Sequence, residues 1–242
     1  MELLRRWAQK GSQNDTALWM QLNHPGKQVM RGMNREGVSP SAVPFEPRLR
    51  AYFPTPRALE EPEIEMIITR FATAAKLAQR AGFGGVQIHG AHGYLVSQFL
   101  SPHHNRRDDA WGGTPEKRMR FVLEVYRAMR AQVGKSFPIS IKLNSADFQK
   151  GGFSEEESLD VCSALSESGI DLIEISGGTY ERPAMALGAS DSPQKESTKK
   201  REAYFLDFAA KARARVRVPL AVTGGFRTRQ GIDEALESGA LD

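Results

Sequence analysis

Hydrophobic positions fall into two alternating patterns along the chain. Five short, β-rich apolar runs cover Ala17–Leu22, Gly85–His89, Ile139–Asn144, Leu172–Ser176 and Leu220–Thr223. Nearly continuous apolar character over so few residues predicts parallel strands covered on both faces. Between the runs the period lengthens to that of a helix. Within Glu63–Ala81, residues Ile64, Ile67, Ile68, Phe71, Ala75 and Ala78 share one face. A second helix opens at Thr114-Pro115, an N-cap followed by proline at the first helical position. It turns Val122, Val125, Met129 and Val133 inward. A third opens at Ser154, with Glu157 three residues on as in a capping box. Two more cover Ala203–Arg215 and Thr228–Ser238.

Strand, loop and helix in repetition make parallel βα units, hence an α/β fold. The longest loops, 23–62 and 90–113, follow strands. A (β/α)8 TIM barrel places function on that face, at the carboxyl ends of its strands. An open doubly wound sheet is the alternative. No Gly-x-Gly-x-x-Gly turn opens the chain, which weighs against its dinucleotide-binding version. Helices end at Ala81-Gly82, Ser168-Gly169-Ile-Asp171 and Ser238-Gly239-Ala-Leu-Asp242, each glycine a natural left-handed stop. By that rhythm a further strand is due at Asp242. Five strands do not close an eight-stranded barrel. The expectation is a single domain over residues 1–242: an incomplete TIM barrel of about five βα units, from a truncated chain. Length alone, 242 residues, would instead suit a whole barrel of ~250.

Composition adds exclusions. With 40% hydrophobic and 26% charged residues the chain can bury a core and stay soluble. The one cysteine, Cys162, lies in a helical pattern, so it reads as a small core residue in reducing, cytoplasmic surroundings. The opening Met1-Glu-Leu-Leu-Arg-Arg-Trp has no long apolar run and reads as no signal peptide. No stretch approaches the ~18 apolar residues of a membrane span. The net charge of +4 is mild. Lys199-Lys200-Arg201 and Arg213, Arg215 and Arg217 read as solvated helix faces rather than a nucleic-acid stripe. Neither nucleic acid nor membrane is therefore expected as a partner, and a homo-oligomer is left open. A bound anionic cofactor would account for part of the positive excess.

The chemistry concentrates where the second run ends, in Val86-Gln-Ile-His89-Gly-Ala-His92-Gly-Tyr94. Two imidazoles and a phenol lie within six residues, flanked by glycines. Metal ligation, satisfied core histidines and catalysis are all open for them. A metal site would usually bring a third histidine or a carboxylate, and none sits in the motif.

Other segments narrow the choice. Downstream stand Ser97-Gln-Phe-Leu-Ser-Pro102, Asn105-Arg-Arg107-Asp108-Asp109 and Trp111-Gly-Gly-Thr-Pro-Glu116-Lys-Arg118-Met-Arg-Phe121. Upstream stands Gln21-Leu-Asn-His-Pro-Gly26-Lys27. Together these resemble the Old Yellow Enzyme family of FMN-dependent ene-reductases, in particular its NADH:flavin oxidoreductase branch. The resemblance covers nearly the whole chain. It implies a (β/α)8 barrel with FMN across the strand ends and NAD(P)H as reductant. It also implies that the first, second and eighth strands are missing, including the arginine that the eighth gives to the phosphate.

By the same resemblance, Gln21 would hydrogen-bond the flavin pyrimidine, and His89 and His92 would hold the substrate carbonyl. Tyr94 would protonate the substrate, an enone or enal reduced at its C=C bond by hydride from flavin N5. Lys142 falls where the family keeps a cation near flavin N1 and O2, and Gly224-Gly225 resemble half of the phosphate cradle. Physical chemistry allows each role. A cation stabilises charge developing on a reduced flavin, and paired glycines before a helix expose N–H groups to an anion. Plainer alternatives stay open: Lys142 snorkelling to solvent, the glycines as a tight turn, Gln21 as a polar strand end. Two other functions also stay open, a Schiff-base aldolase using Lys142 and an inactive truncated fragment.

Overall fold

The alternation of side chains along each strand decides what the sheet covers and what it presents. A computed structural model describes residues 1–181, 206–224, 226 and 228–242. Its five main strands are β1 (Trp19–Leu22), β4 (Gly85–Gly90), β5 (Ile139–Asn144), β6 (Leu172–Ser176) and β7 (Leu220–Val222). They pair in that order, all parallel. Two short strands, β2 (Val38–Ser39) and β3 (Arg57–Ala58), form a separate ribbon inside the long loop after β1. The result is the arc of an incomplete TIM barrel, as the spacing of the apolar runs predicts.

The central strands β4, β5 and β6 are buried or half-buried on both faces, as expected, but only one of the two faces is apolar. Val86 and Ile88, Ile139, Ile141 and Leu143, and Ile173 and Ile175 alternate with Gln87, His89, Lys142, Asn144, Glu174 and Ser176. The first set is almost wholly buried in the main core. The second set carries polar side chains to the other face, where Glu174 pairs with both Gln87 and Lys142. In-register partners run His89–Lys142–Glu174–Ala221.

Helices cover the apolar face. They are α1 (Glu2–Gly11), α2 (Glu61–Ala81), α3 (Leu95–Leu100), α4 (Pro115–Val133), α5 (Glu155–Glu167), α6 (described over 206–215) and α7 (Arg229–Glu237). The stripe of Ile64, Ile67, Phe71, Ala75 and Ala78 on α2 is buried, as are Val122, Val125, Met129 and Val133 on α4. Cys162 on α5 is fully buried, and burial pushes its thiol up to about 12. Both elements of the Ser154–Glu157 capping box are present, a device that contributes about 1 kcal/mol. Glu60 and Glu63 form a second box, which starts α2 two residues before the apolar period does. The periodicity missed α1 and α3. No described helix is long and apolar enough to cross a membrane.

The helix-to-strand rhythm has a structural counterpart. The Asp171 N–H donates to the Ile139 carbonyl at 3.0 Å, and its carboxylate accepts from the Ile139 N–H at 2.7 Å and from Arg130. Asp242 repeats the device on β7. Its N–H donates to the Leu220 carbonyl at 3.0 Å, and its carboxylate accepts from the Leu220 N–H at 2.9 Å and from Arg213. Arg215 pairs with Glu156 and Asp160, so these arginines fasten α6 rather than stand free. Lys199, Lys200 and Arg201 lie outside the described residues.

Candidate active site

His89 is the last side chain of β4 on the polar face, and the chain turns sharply after it. His92 and Gly93 both take left-handed backbone angles, φ +59° and +75°. That turn folds His92 and Tyr94 back onto His89. Ring centroids lie 5.1 Å apart for His89–His92 and 4.8 Å for His89–Tyr94. The three side chains that the sequence singled out therefore share one small volume at the carboxyl edge of the sheet.

Hydrogen bonds assign the chemistry of each ring. The Ala91 N–H donates to His89 Nδ1 at 3.4 Å, which leaves the proton on Nε2 as a donor. Burial, then the neighbouring His92 and Lys142, hold His89 down to about 4, so its ring is neutral near pH 7. His92 donates its backbone N–H to Asn144 Oδ1 at 3.2 Å, and its Nε2 meets Ser176 Oγ at 2.8 Å. Burial, then Lys142, lowers His92 as well. Tyr94 is pushed up to about 12 by burial first and by the Tyr180 hydroxyl second. A phenol held that high keeps its proton near neutral pH.

Below the rings runs a chain of polar side chains from β1, β4, β5 and β6 and from Thr223, just past β7. Gln21 donates to Gln87 at 2.7 Å, and Gln87 donates to Glu174 Oε2 at 2.7 Å. Glu174 Oε1 pairs with Lys142 Nζ at 2.6 Å and accepts from the Thr223 hydroxyl. Lys142 Nζ also donates to Thr223 Oγ1 at 3.4 Å. Sequence reasoning found Gln21 and Lys142, placed Ser176-Gly177-Gly178 on the active face without a role, and missed Gln87 and Glu174. The signal for Glu174 was present: it is the one charged residue in the apolar run Leu172–Ser176, as Lys142 is in Ile139–Asn144.

The loops around the rings are interlocked. The Gln98 amide, fully buried, donates to the Gly93 carbonyl at 2.7 Å and accepts from the Lys27 N–H at 3.3 Å. Gln28 donates to the His92 carbonyl at 2.8 Å. Lys27 Nζ lies 3.1 Å from His104 Nδ1 and 3.6 Å from Glu181 Oε2. His103, His104 and Glu181 offer metal-ligand atoms within 4.8 Å of one another. Lys27 already supplies positive charge there, and burial, partly offset by Glu181, holds it down to about 8.

Three polar residues of the downstream segments prove to be fasteners. Asn105 donates to the carbonyls of Phe99 and Trp111, both at 2.8 Å. Arg107 donates to those of Pro40 and Leu59. Arg118, buried, donates to those of Leu100 and Gly113 and pairs with Glu157. Gly224 has φ +95° ahead of α7, while Gly225 lies outside the described residues.

The model of the NADH:flavin oxidoreductase / NADH oxidase family matches residues 1–242. The chain belongs to that family. Members similar to it include the "NADH-dependent flavin oxidoreductase iliE" of Neonectria sp. (strain DH2), 40% identical across 100% of this chain. The iliE protein of Hypocrea jecorina (strain QM6a) is 39% identical across 97%. The chain spans 34% and 62% of the lengths of these two flavin oxidoreductases. Among solved structures, the old yellow enzyme homologue from Zymomonas mobilis superposes with TM-score 0.80 at 26% identity. It is matched over 100% of this chain and 65% of its own. A 2-naphthoyl-CoA reductase complex superposes with TM-score 0.86 at 26% identity, over 98% of this chain and 36% of its own.

Proposed function

We propose that this chain carries the substrate-activating face of an FMN-dependent oxidoreductase that uses NAD(P)H to reduce the C=C bond of an α,β-unsaturated carbonyl compound. The observation that carries the reading is the convergence of the His89 Nε2–H, the His92 ring and the Tyr94 phenol above a belt of amide and ammonium donors. The belt's chemistry fits the flavin ring edge. Gln21 commits one amide hydrogen to Gln87 and retains a second hydrogen and its carbonyl oxygen. Lys142 commits two of its three ammonium hydrogens, to Glu174 and Thr223. Gln21 and Lys142 would hold the flavin ring, and Gly224, with Gly225, the phosphate. When bound, FMN supplies hydride transfer from NAD(P)H to the substrate.

The chain's own residues supply polarisation and a proton. His89 donates its Nε2–H to the substrate carbonyl oxygen, in a site where burial strengthens the bond. His92 sits beside it at right angles, fixed by Ser176 and Asn144, and completes the clamp. Pulling electron density to the oxygen leaves the β-carbon electrophilic. Tyr94 gives its phenolic proton to the α-carbon. The buried, reduced Cys162 fits a cytoplasmic setting. The Lys142–Glu174 ion pair occupies the amine that a Schiff-base aldolase would use.

Anaerobic titration of the purified chain with FMN tests the reading. A bound flavin band, bleached by NADH or NADPH and restored by a simple cyclic enone, is the expected result. A folded chain that takes up no flavin sinks it in favour of an inactive fragment.

A further inference from the structure

We propose that Glu174 is a positioning residue that neutralises Lys142 and thereby sets the charge presented to a bound flavin. The inference rests on the FMN reading above. Lys142 and Glu174 are in-register neighbours on β5 and β6, with Nζ and Oε1 2.6 Å apart. The carboxylate is held from three sides: by Lys142, by the Gln87 amide at 2.7 Å and by the Thr223 hydroxyl. Gln87 lies on β4, Lys142 on β5 and Thr223 directly after β7, so the carboxylate links β4 to the end of β7.

The consequence is electrostatic. A lone ammonium beside a flavin favours the reduced form, whose negative charge spreads over the N1–C2=O edge. An ammonium paired with a carboxylate presents a dipole of zero net charge instead. The same carboxylate also acts on the substrate clamp. The charge of Lys142 lowers both His89 and His92, and that of Glu174 opposes it in each case. Glu174 therefore balances Lys142 towards the flavin side and the histidine side together.

The test is the reduction potential of FMN bound to the wild-type chain and to variants, measured by equilibration with reference dyes. Glu174→Gln leaves the ammonium unbalanced. Its expected effect is at least a tenfold gain in the ratio of reduced-to-oxidised FMN affinity, about 30 mV upward for a two-electron couple. Lys142→Met leaves the carboxylate alone and moves the ratio at least tenfold the other way. The double variant Lys142→Met/Glu174→Met removes a neutral pair and returns the ratio to within about twofold of wild type.

A double variant that tracks Lys142→Met would show that Lys142 acts as a free cation, which overturns the inference and leaves the FMN reading standing. So would a Glu174→Gln potential equal to wild type. Wild-type chain that binds no flavin overturns both. Should Glu174→Gln fail to fold, the Lys142→Met and double variants decide alone, because the neutral pair predicts their opposite outcomes.

Discussion

Ser176 Oγ and His92 Nε2 stand 2.8 Å apart, joining the end of β6 to the turn after β4. The contact gives Ser176 a role that its sequence context, Ser176-Gly177-Gly178, did not. It fixes the ring plane of His92 against His89, to which it lies at 90°. Removing the hydroxyl frees the ring at a cost of about 1 kcal/mol, the net value of a typical hydrogen bond. Ser176→Ala is therefore expected to reduce the rate of enone reduction about fivefold while leaving flavin reduction by NAD(P)H unchanged. Stopped-flow measurement of the two half-reactions separates these effects. Equal rates for the variant and the wild type in enone reduction would remove Ser176 from the site.

All five histidines are held below their ordinary value by burial, His24 and His89 down to about 4. Their folded values lie below the unfolded value of 6.5, so the unfolded chain binds more protons between the two. Their stabilising contribution is complete above pH 6.5 and is lost as pH falls towards 4. Glu63, held down to about 2 by its hydrogen bonds from Arg57, loses its contribution only below the ordinary carboxylate value of 4.5. Urea unfolding should show a shallow fall in stability from about pH 8 to 7, where Lys27, held at about 8, takes up its proton, and a steeper decline from about 6.5 to 5. A flat profile across the second window would contradict neutral, buried rings.

The strand positions and helix caps were legible because each rests on local chemistry: apolar runs, Thr114-Pro115, Ser154 with Glu157. The grouping of His89, His92 and Tyr94 was legible because the three lie within six residues at one strand end. What escaped depends on register. Glu174 and Gln87 matter only because β4, β5 and β6 lie side by side, and no local pattern states that Glu174 faces Lys142 rather than solvent. The amphipathic α1 and the short α3 escaped for another reason. Trp7 packs edge-on against Phe83 at 5.4 Å while leaving much of its surface exposed, so its stripe is weakly buried. α3 is six residues long and wholly buried, so it shows no polar face to mark a period.

Gly26 tests the interlock of the loops. Its φ is +59°, and a Cβ there would stand 2.3 Å from the Gln98 side-chain oxygen. Gly151 has a similar φ of +70° with nothing within 4 Å of the corresponding position. Gly151→Ala should cost only the left-handed backbone penalty, about 1 kcal/mol. Gly26→Ala carries that penalty and also displaces Gln98 from the Gly93 carbonyl, for a total of about 3 kcal/mol. Denaturant unfolding of the pair checks the difference. Equal losses would show that Gln98 yields without consequence.

Tyr94 carries the sharpest prediction about chemistry. Its phenol is held at about 12 by burial and by Tyr180, whose ring lies 6.2 Å from its own. Near pH 7 it is a proton donor and not a phenolate, and its ring lies 4.8 Å from that of His89, the residue assigned to the substrate oxygen. A general acid in that position contributes ~10²–10⁴ in rate. Tyr94→Phe keeps the ring packing and removes only the proton. Enone reduction should slow by that factor, with flavin reduction by NAD(P)H spared and the flavin still bound. Because the loss falls on proton delivery, the residual reaction should gain rate as pH falls and solvent acid takes over. Stopped-flow traces of both half-reactions across pH are the measurement, and an equal loss in both would take the proton-donor role away from Tyr94.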